Sequence, residues 1–350
     1  MLDERQAGWH GVPGKSLKSQ YNVFMRKFWR RHRALRILSY VVLTFLFVVC
    51  VLPYLIPLGE TQREVSPDGL VSEHGRFLDI DGVRIYVEEQ NPESAQATIV
   101  FIHGLGGSTF SWRHNVPFFV SQGYRVVTLD MKGFGLSSKD FKSDYSHPTQ
   151  ASLLAGVLAR IGVDRAYFVG HSMGTSVMLH FAHLYPEKVM GLISVDGAVN
   201  LEGRFGHVST LLNFGPFRRI GEVFLTHYLT RERVSKLLES AYHQDIVTAE
   251  IVDGYYSRLV IGQWAQSLLA MTRDMSKNTI NFSLEDMTFP MLILWGENDT
   301  WVKRENIDRW KEQIPGAEFH VILETGHMVM EENPELFNGA VLAFLESHRD

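Results

Sequence analysis

The apolar positions of this 350-residue chain fall into three regimes. Residues 37–58 form an unbroken run of 22 residues without a charge, long enough to cross a bilayer as a helix. Residues 59–75 turn polar, with Ser66-Pro67-Asp68-Gly69 as turn chemistry, and read as a linker. From residue 76 onward, short apolar runs alternate with longer stretches of helical character. The runs at 77–80 and 83–87 flank Asp81-Gly82 and predict a β-hairpin. Continuous apolar runs at 97–102, 124–129, 165–169, 189–195 and 291–295 read as strands buried on both faces, and 318–323 adds an eighth. Helices are expected at 112–122, 148–161 and 175–185. The alternation predicts an α/β domain with a mostly parallel eight-stranded sheet flanked by helices. It is interrupted once, by 90 residues of helical character at 197–286, so the core is expected over 76–196 and 287–350.

The first 36 residues change the picture of the apolar run. Arg26, Lys27, Arg30, Arg31, Arg33 and Arg36 stand before it, while only Arg63 follows closely. That asymmetry predicts a cytoplasmic amino terminus, one transmembrane helix at 37–58, and a catalytic domain on the opposite (periplasmic, lumenal or extracellular) side. Trp29, Tyr40 and Tyr54 are candidate interfacial anchors, and Pro53 and Pro57 are expected to kink or end the helix. A cleaved signal peptide fits less well, because the run is long and lacks a small-residue cleavage site. Val49 before Cys50 argues against lipid attachment there. A formal net charge of -5 supplies no basic face for nucleic acid, and a single cysteine excludes an intrachain disulfide framework. No cluster has metal-ligand spacing, so neither metal nor cofactor is expected.

The chemistry concentrates in Val169-Gly170-His171-Ser172-Met173-Gly174, set between an apolar run and a helical one. A serine hydroxyl becomes a usable nucleophile when a sharp strand-to-helix turn projects it toward a base. Gly170 and Gly174 are the elbow glycines that let neighbouring backbone pass close by.

Further motifs follow other strands: His103-Gly104, then Asp130, Gly133, Gly135 and Ser137, then Gly296-Glu297-Asn298-Asp299, and finally Gly326-His327. In this order they resemble the α/β-hydrolase superfamily over residues 77–348, in particular its serine esterases and lipases of the monoacylglycerol-lipase type with a helical lid. Lys132, where many relatives have Arg, and Thr175, where many have a second glycine, are small departures.

The resemblance implies a triad with Ser172 as nucleophile, His327 as general base and Asp299 as the acid that orients it; Asp196, after the preceding strand, is the alternative acid. It implies an oxyanion hole from the backbone N–H groups of Leu105 and Met173. His103 is expected to order its loop, and His171 to be structural. Residues 197–286 would form the lid, rich in Phe205, Phe214, Phe217, Phe224, Tyr242, Tyr255, Tyr256 and Trp264. Those aromatics either line an apolar acyl site or pack the lid onto the core.

The function expected is a membrane-anchored serine hydrolase of carboxylic esters, with an apolar small-molecule ester as substrate and the bilayer as partner. Thioesterase, amidase and acyltransferase chemistry use the same triad and stay open, as does a non-catalytic ligand-binding homologue. Epoxide hydrolases and dehalogenases of this fold carry Asp where Ser172 stands. Proline iminopeptidases carry a His-Gly-Gly-Pro-Gly-type loop and carbon–carbon bond hydrolases a Pro after the oxyanion glycine; this chain has neither.

Overall fold

The computed structural model describes residues 17–59, 69–94, 96–197, 210–303 and 305–349. Residues 1–16 of the expected amino-terminal segment, most of the expected linker, and Phe205 lie outside them. The chain divides into two units, residues 1–56 and 57–350.

The first unit is helical: α1 (Leu17–Cys50) and the short α2 (Leu52–Leu55). Helix α1 starts well before residue 37, because the basic segment is built of good helix formers, Arg, Lys, Leu and Ala. It stops short of Pro53, which lacks an N–H for the helix ladder and instead occupies the first turn of α2. Residues 18–50 are long and apolar enough to cross a membrane, which marks a candidate anchor or signal sequence.

The second unit is an eight-stranded sheet: β1 (Gly75–Ile80), β2 (Val83–Gln90), β3 (Thr98–Ile102), β4 (Arg125–Asp130), β5 (Ala166–His171), β6 (Val189–Val195), β7 (Met291–Gly296) and β8 (Glu318–Ile322). The spatial order is β1-β2-β4-β3-β5-β6-β7-β8, antiparallel at β1/β2 and β2/β4 and parallel elsewhere. Asp81 and Gly82 both take positive φ, 51° and 80°, the geometry of a tight hairpin turn whose twist matches the strands. Strands β3, β5 and β7 are buried along their whole length, as continuous apolar runs require, while β1 and β8 at the edges are largely exposed or half-buried.

Helices cover both faces. On one side α4 (His147–Arg160) and α5 (Met173–Leu184) pack Leu154, Leu158, Met178 and Phe181 against Val100, Val127 and Phe168. On the other, α3 (Val116–Ser121) and the carboxyl-terminal helix pack Phe119, Phe337 and Phe344 against Phe101 and Val169. The helix expected over 112–122 is divided: a 3-10 turn at Thr109–Trp112 precedes α3, whose first turn holds Pro117.

Between β6 and β7 the described residues form α6 (Gly215–Tyr228), α7 (Arg231–Ala241), α8 (Ala249–Leu259) and α9 (Trp264–Asp274). Thr230 and Thr248 cap α7 and α8 by accepting the N–H of Arg233 and Ile251, each at 3.3 Å. Helix α10 (Glu305–Gln313) follows β7, and α11 (Val329–Glu332) and α12 (Pro334–Ser347) follow β8.

Candidate active site

Ser172 is the single residue between β5 and α5, at φ 50° and ψ -116°. Such angles cost a non-glycine residue about 1–3 kcal/mol and persist only where surroundings enforce them. Here the Ser172 N–H donates to Val195 O at 2.8 Å. The turn closes so tightly that a Cβ on Gly170 would stand 2.8 Å from the Gly174 carbonyl, and one on Gly174 would stand 2.4 Å from Ile102 O. Glycine is therefore a steric requirement at both positions. Thr175 departs from the superfamily pattern without disturbing the turn, since its hydroxyl donates to Gly170 O at 2.7 Å.

The loop after β3 lies against this serine. A Cβ on Gly104 would come 3.1 Å from Ser172 Cβ and 2.8 Å from His171 Nδ1. Fully buried His103 shapes the loop: Nε2 accepts the Met131 N–H at 3.0 Å, so Nδ1 carries the proton and donates to Gly104 O at 2.8 Å. Burial holds its pKa below the usual histidine value, consistent with that neutral tautomer. Leu105 follows Gly104 in a turn closed by Gly107 N–H donating to Gly104 O at 3.1 Å. Met173 is the first residue of α5, where a backbone N–H has no acceptor within its own helix.

His327 and Asp299 are brought together. His327 Nδ1 lies 2.8 Å from Asp299 Oδ2, and both side chains are almost wholly buried. The other oxygen of Asp299 accepts the N–H groups of Trp301 at 2.7 Å and Val302 at 3.0 Å, which fixes the carboxylate. With Nδ1–H donating to Asp299, a neutral His327 presents Nε2 as an acceptor. The Trp301 indole stacks on the His327 ring, centroids 5.4 Å apart at 23°. From beneath, His171 Nε2–H donates to the His327 carbonyl at 2.8 Å; burial and then His327 hold His171 neutral, its pKa well below the usual range.

Asp196 is not the partner of His327. It is completely buried at φ 47°; Oδ1 accepts the Gly296 N–H at 2.8 Å, and among the described residues Oδ2 has no hydrogen-bond partner. Burial, and next the neighbouring Asp299 carboxylate, push its pKa well above the usual carboxylate range. The two acids are thus told apart by environment: burial disfavours the charged form of Asp196, whereas Asp299 is hydrogen-bonded to the imidazole. His171, Asp196 and His327 bring possible metal-ligating atoms within 4.8 Å of one another. The two histidines already spend a nitrogen each on protein hydrogen bonds, so the donor set fits a metal poorly.

Two neighbouring carboxylates escaped the sequence reading. Glu331 accepts the hydroxyls of Tyr242, at 2.6 Å, and Tyr255, and pairs with Arg113. Glu332 accepts three backbone N–H groups, those of Gly326 and His243 at 2.7 Å and Gln244 at 2.9 Å. The His327 N–H itself donates to Ala241 O at 2.8 Å. Their only sequence signal was position, four and five residues beyond the histidine. Of the aromatic residues in the insertion, Tyr242, Tyr255 and Trp264 are buried in packing, Phe217 and Tyr256 are half-buried, and Phe214 and Phe224 face outward.

The α/β-hydrolase fold family matches residues 97–334, and the chain belongs to that family. It is 30% identical over 278 residues to "Uncharacterized hydrolase YugF" of Bacillus subtilis, covering 79% of this chain and 99% of that one. It is 28% identical over 297 residues to a 2-hydroxy-6-oxononadienedioate/2-hydroxy-6-oxononatrienedioate hydrolase of Paraburkholderia phymatum, covering 81% and 99%. Among solved structures, that of a membrane phospholipase A described as a bacterial virulence factor superimposes with a TM-score of 0.65 at 23% identity, covering 92% of this chain and 99% of that one. Hydrolytic activity is the common thread of these relatives.

Proposed function

We propose that the protein is a membrane-anchored serine hydrolase of carboxylic esters with apolar acyl groups. The observation that carries this reading is the 2.8 Å pairing of Asp299 with His327 beside a serine held in a strained elbow. Ser172 Oγ attacks the ester carbonyl while His327 Nε2 takes its proton, and Asp299 stabilises the resulting imidazolium. The oxyanion is met by the N–H groups of Leu105 and Met173. The imidazolium returns its proton to the departing alcohol, leaving an acyl-Ser172. Water deprotonated by His327 then releases the acid and restores the serine. Residues 37–58, within and just beyond α1, serve as anchor, with the amino terminus cytoplasmic by the charge asymmetry. The helical insertion, α6–α9, acts as the lid, and its buried aromatic packing favours an apolar substrate.

Carbon–carbon bond hydrolysis is the second reading, favoured by the Paraburkholderia relative and opposed by Leu105, where proline follows the oxyanion glycine in such enzymes. The full-length protein in detergent, assayed on nitrophenyl esters of increasing chain length and on a 2-hydroxy-6-oxo dienoic acid, separates the two. Ester turnover that rises with chain length and disappears in Ser172→Ala is expected. Turnover of the dienoic acid alone would replace the ester reading. Loss of neither activity in Ser172→Ala would overturn the serine mechanism.

A further inference from the structure

Helix α6 exposes an apolar stripe. Its inward side mixes polar and apolar groups: Glu222 is 6% exposed and lies beside Arg218 and Arg219, Thr226 is 2% exposed, and Leu225 packs against the core. Apart from His227, its exposed positions are apolar. Ile220, Phe224 and Tyr228 recur every four residues on the exposed face, and Leu211 and Phe214 extend the stripe ahead of the helix. Phe214 and Phe224 are 66% and 59% exposed, and Phe224 stacks on Tyr228 with centroids 5.1 Å apart. A soluble surface helix keeps its outward face polar, and a contiguous exposed apolar stripe marks a surface that something covers.

The same helix is stitched to the residue that follows the uncharged stretch. The Gly59 N–H donates to Thr226 Oγ1 at 3.1 Å, and the backbones approach so closely that a Cβ on Gly59 would stand 2.3 Å from Thr226 O. In sequence, Gly59 comes directly after residues 37–58. Arg233, exposed just past the helix, sets its guanidinium over the Tyr228 ring at 4.9 Å, adding a cation beside the apolar stripe.

We propose that the outward face of α6 lies in the interfacial layer of the bilayer that residues 37–58 span, so that this part of the insertion rests on the membrane. The inference rests on the anchor reading above and is independent of the ester chemistry.

The test uses the full chain in vesicles of phosphatidylcholine and phosphatidylglycerol. With Cys50→Ser removing the native thiol, Phe214→Cys, Phe224→Cys and, as control, Leu336→Cys each receive an environment-sensitive fluorophore. All three sites are exposed, so none is needed for folding. The expected result is strong loss of emission at 214 and 224 when lipids carry a doxyl quencher near the headgroup, with little loss at 336. Equal emission with and without quencher at all three sites would overturn the proposal. So would quencher-insensitive emission together with efficient Phe224→Cys cross-linking between chains, which would give the face to a second copy. Carbonate extraction of the same vesicles tells the two readings apart: a chain washed from the membrane refutes the anchor, whereas a retained chain with unquenched labels refutes only the docking of α6.

Discussion

The two halves of the helical insertion solve opposite problems. Helices α7 and α8 are fastened to the loops that carry the candidate base and acid. Ala241, His243 and Gln244 bond to His327 and Glu332, Tyr242 and Tyr255 to Glu331, and Ser240 accepts from the Trp301 indole at 3.1 Å. Helix α6 makes no comparable bonds to those loops among the described residues and turns its apolar side outward. One half frames the site with buried polar groups satisfied one by one; the other offers a greasy surface. The insertion is therefore no uniform flap, and substitutions in its two halves should be read out by different assays.

The largest effect is expected where the framed half meets the acid. Asp299→Asn should lower kcat by about 10⁴-fold by forcing the wrong imidazole tautomer, while Asp196→Asn, replacing a group that does not pair with His327, should cost far less. Steady-state turnover of the two variants checks this, and equal losses would reverse the assignment of the acids. Next comes Glu332→Ala, which strands three backbone N–H groups and should destabilise the fold by about 3–5 kcal/mol in denaturant titrations. An unchanged midpoint would mean that the insertion is not held by this residue.

Acid should act on the same frame. Burial, then His180, lowers His147 to about 3 from its ordinary 6.5, and His103 and His171 are lowered as well. Unfolding lets each bind a proton below about 6.5, so stability is fullest above that pH and falls beneath it, by about 2 kcal/mol at pH 5 for His147. Asp196 and Glu88 work the other way, since a raised pKa makes the folded state the better proton binder as pH falls, but His114 and His180 are lowered too and side with the other histidines. A melting temperature that stays level from pH 7 to pH 5 would contradict this balance. The smallest effect belongs to α6: Phe224→Ser should change stability by no more than about 0.5 kcal/mol and leave turnover of a soluble short-chain ester as it was. A large loss on that soluble substrate would place Phe224 within the site's frame and erase the contrast.

Much of this was legible in the order of residues. Continuous apolar runs located the buried strands because burial on both faces leaves no room for alternation, and the hairpin was written in Asp81-Gly82. The elbow was legible because its close backbone approaches demand glycine at 170 and 174. The choice between Asp196 and Asp299 was harder, since two aspartates after adjacent strands look alike until the fold buries one and pairs the other with His327. Glu331 and Glu332 were illegible for a related reason: on a chain, a glutamate among polar residues looks like solvated surface, and only the fold brings Tyr242, Tyr255 and the 243–244 backbone to them. The aromatic wealth of the insertion was visible, but which way each ring points depends on neighbours distant in sequence.

The pairing of Glu331 and Glu332 with residues 241–255 has a practical meaning for recombination. A chimera that imports a relative's insertion at its two obvious boundaries would leave those carboxylates facing strangers. The natural cartridge is discontinuous, joining the insertion to the short segment 326–332, and the two should be exchanged as a set.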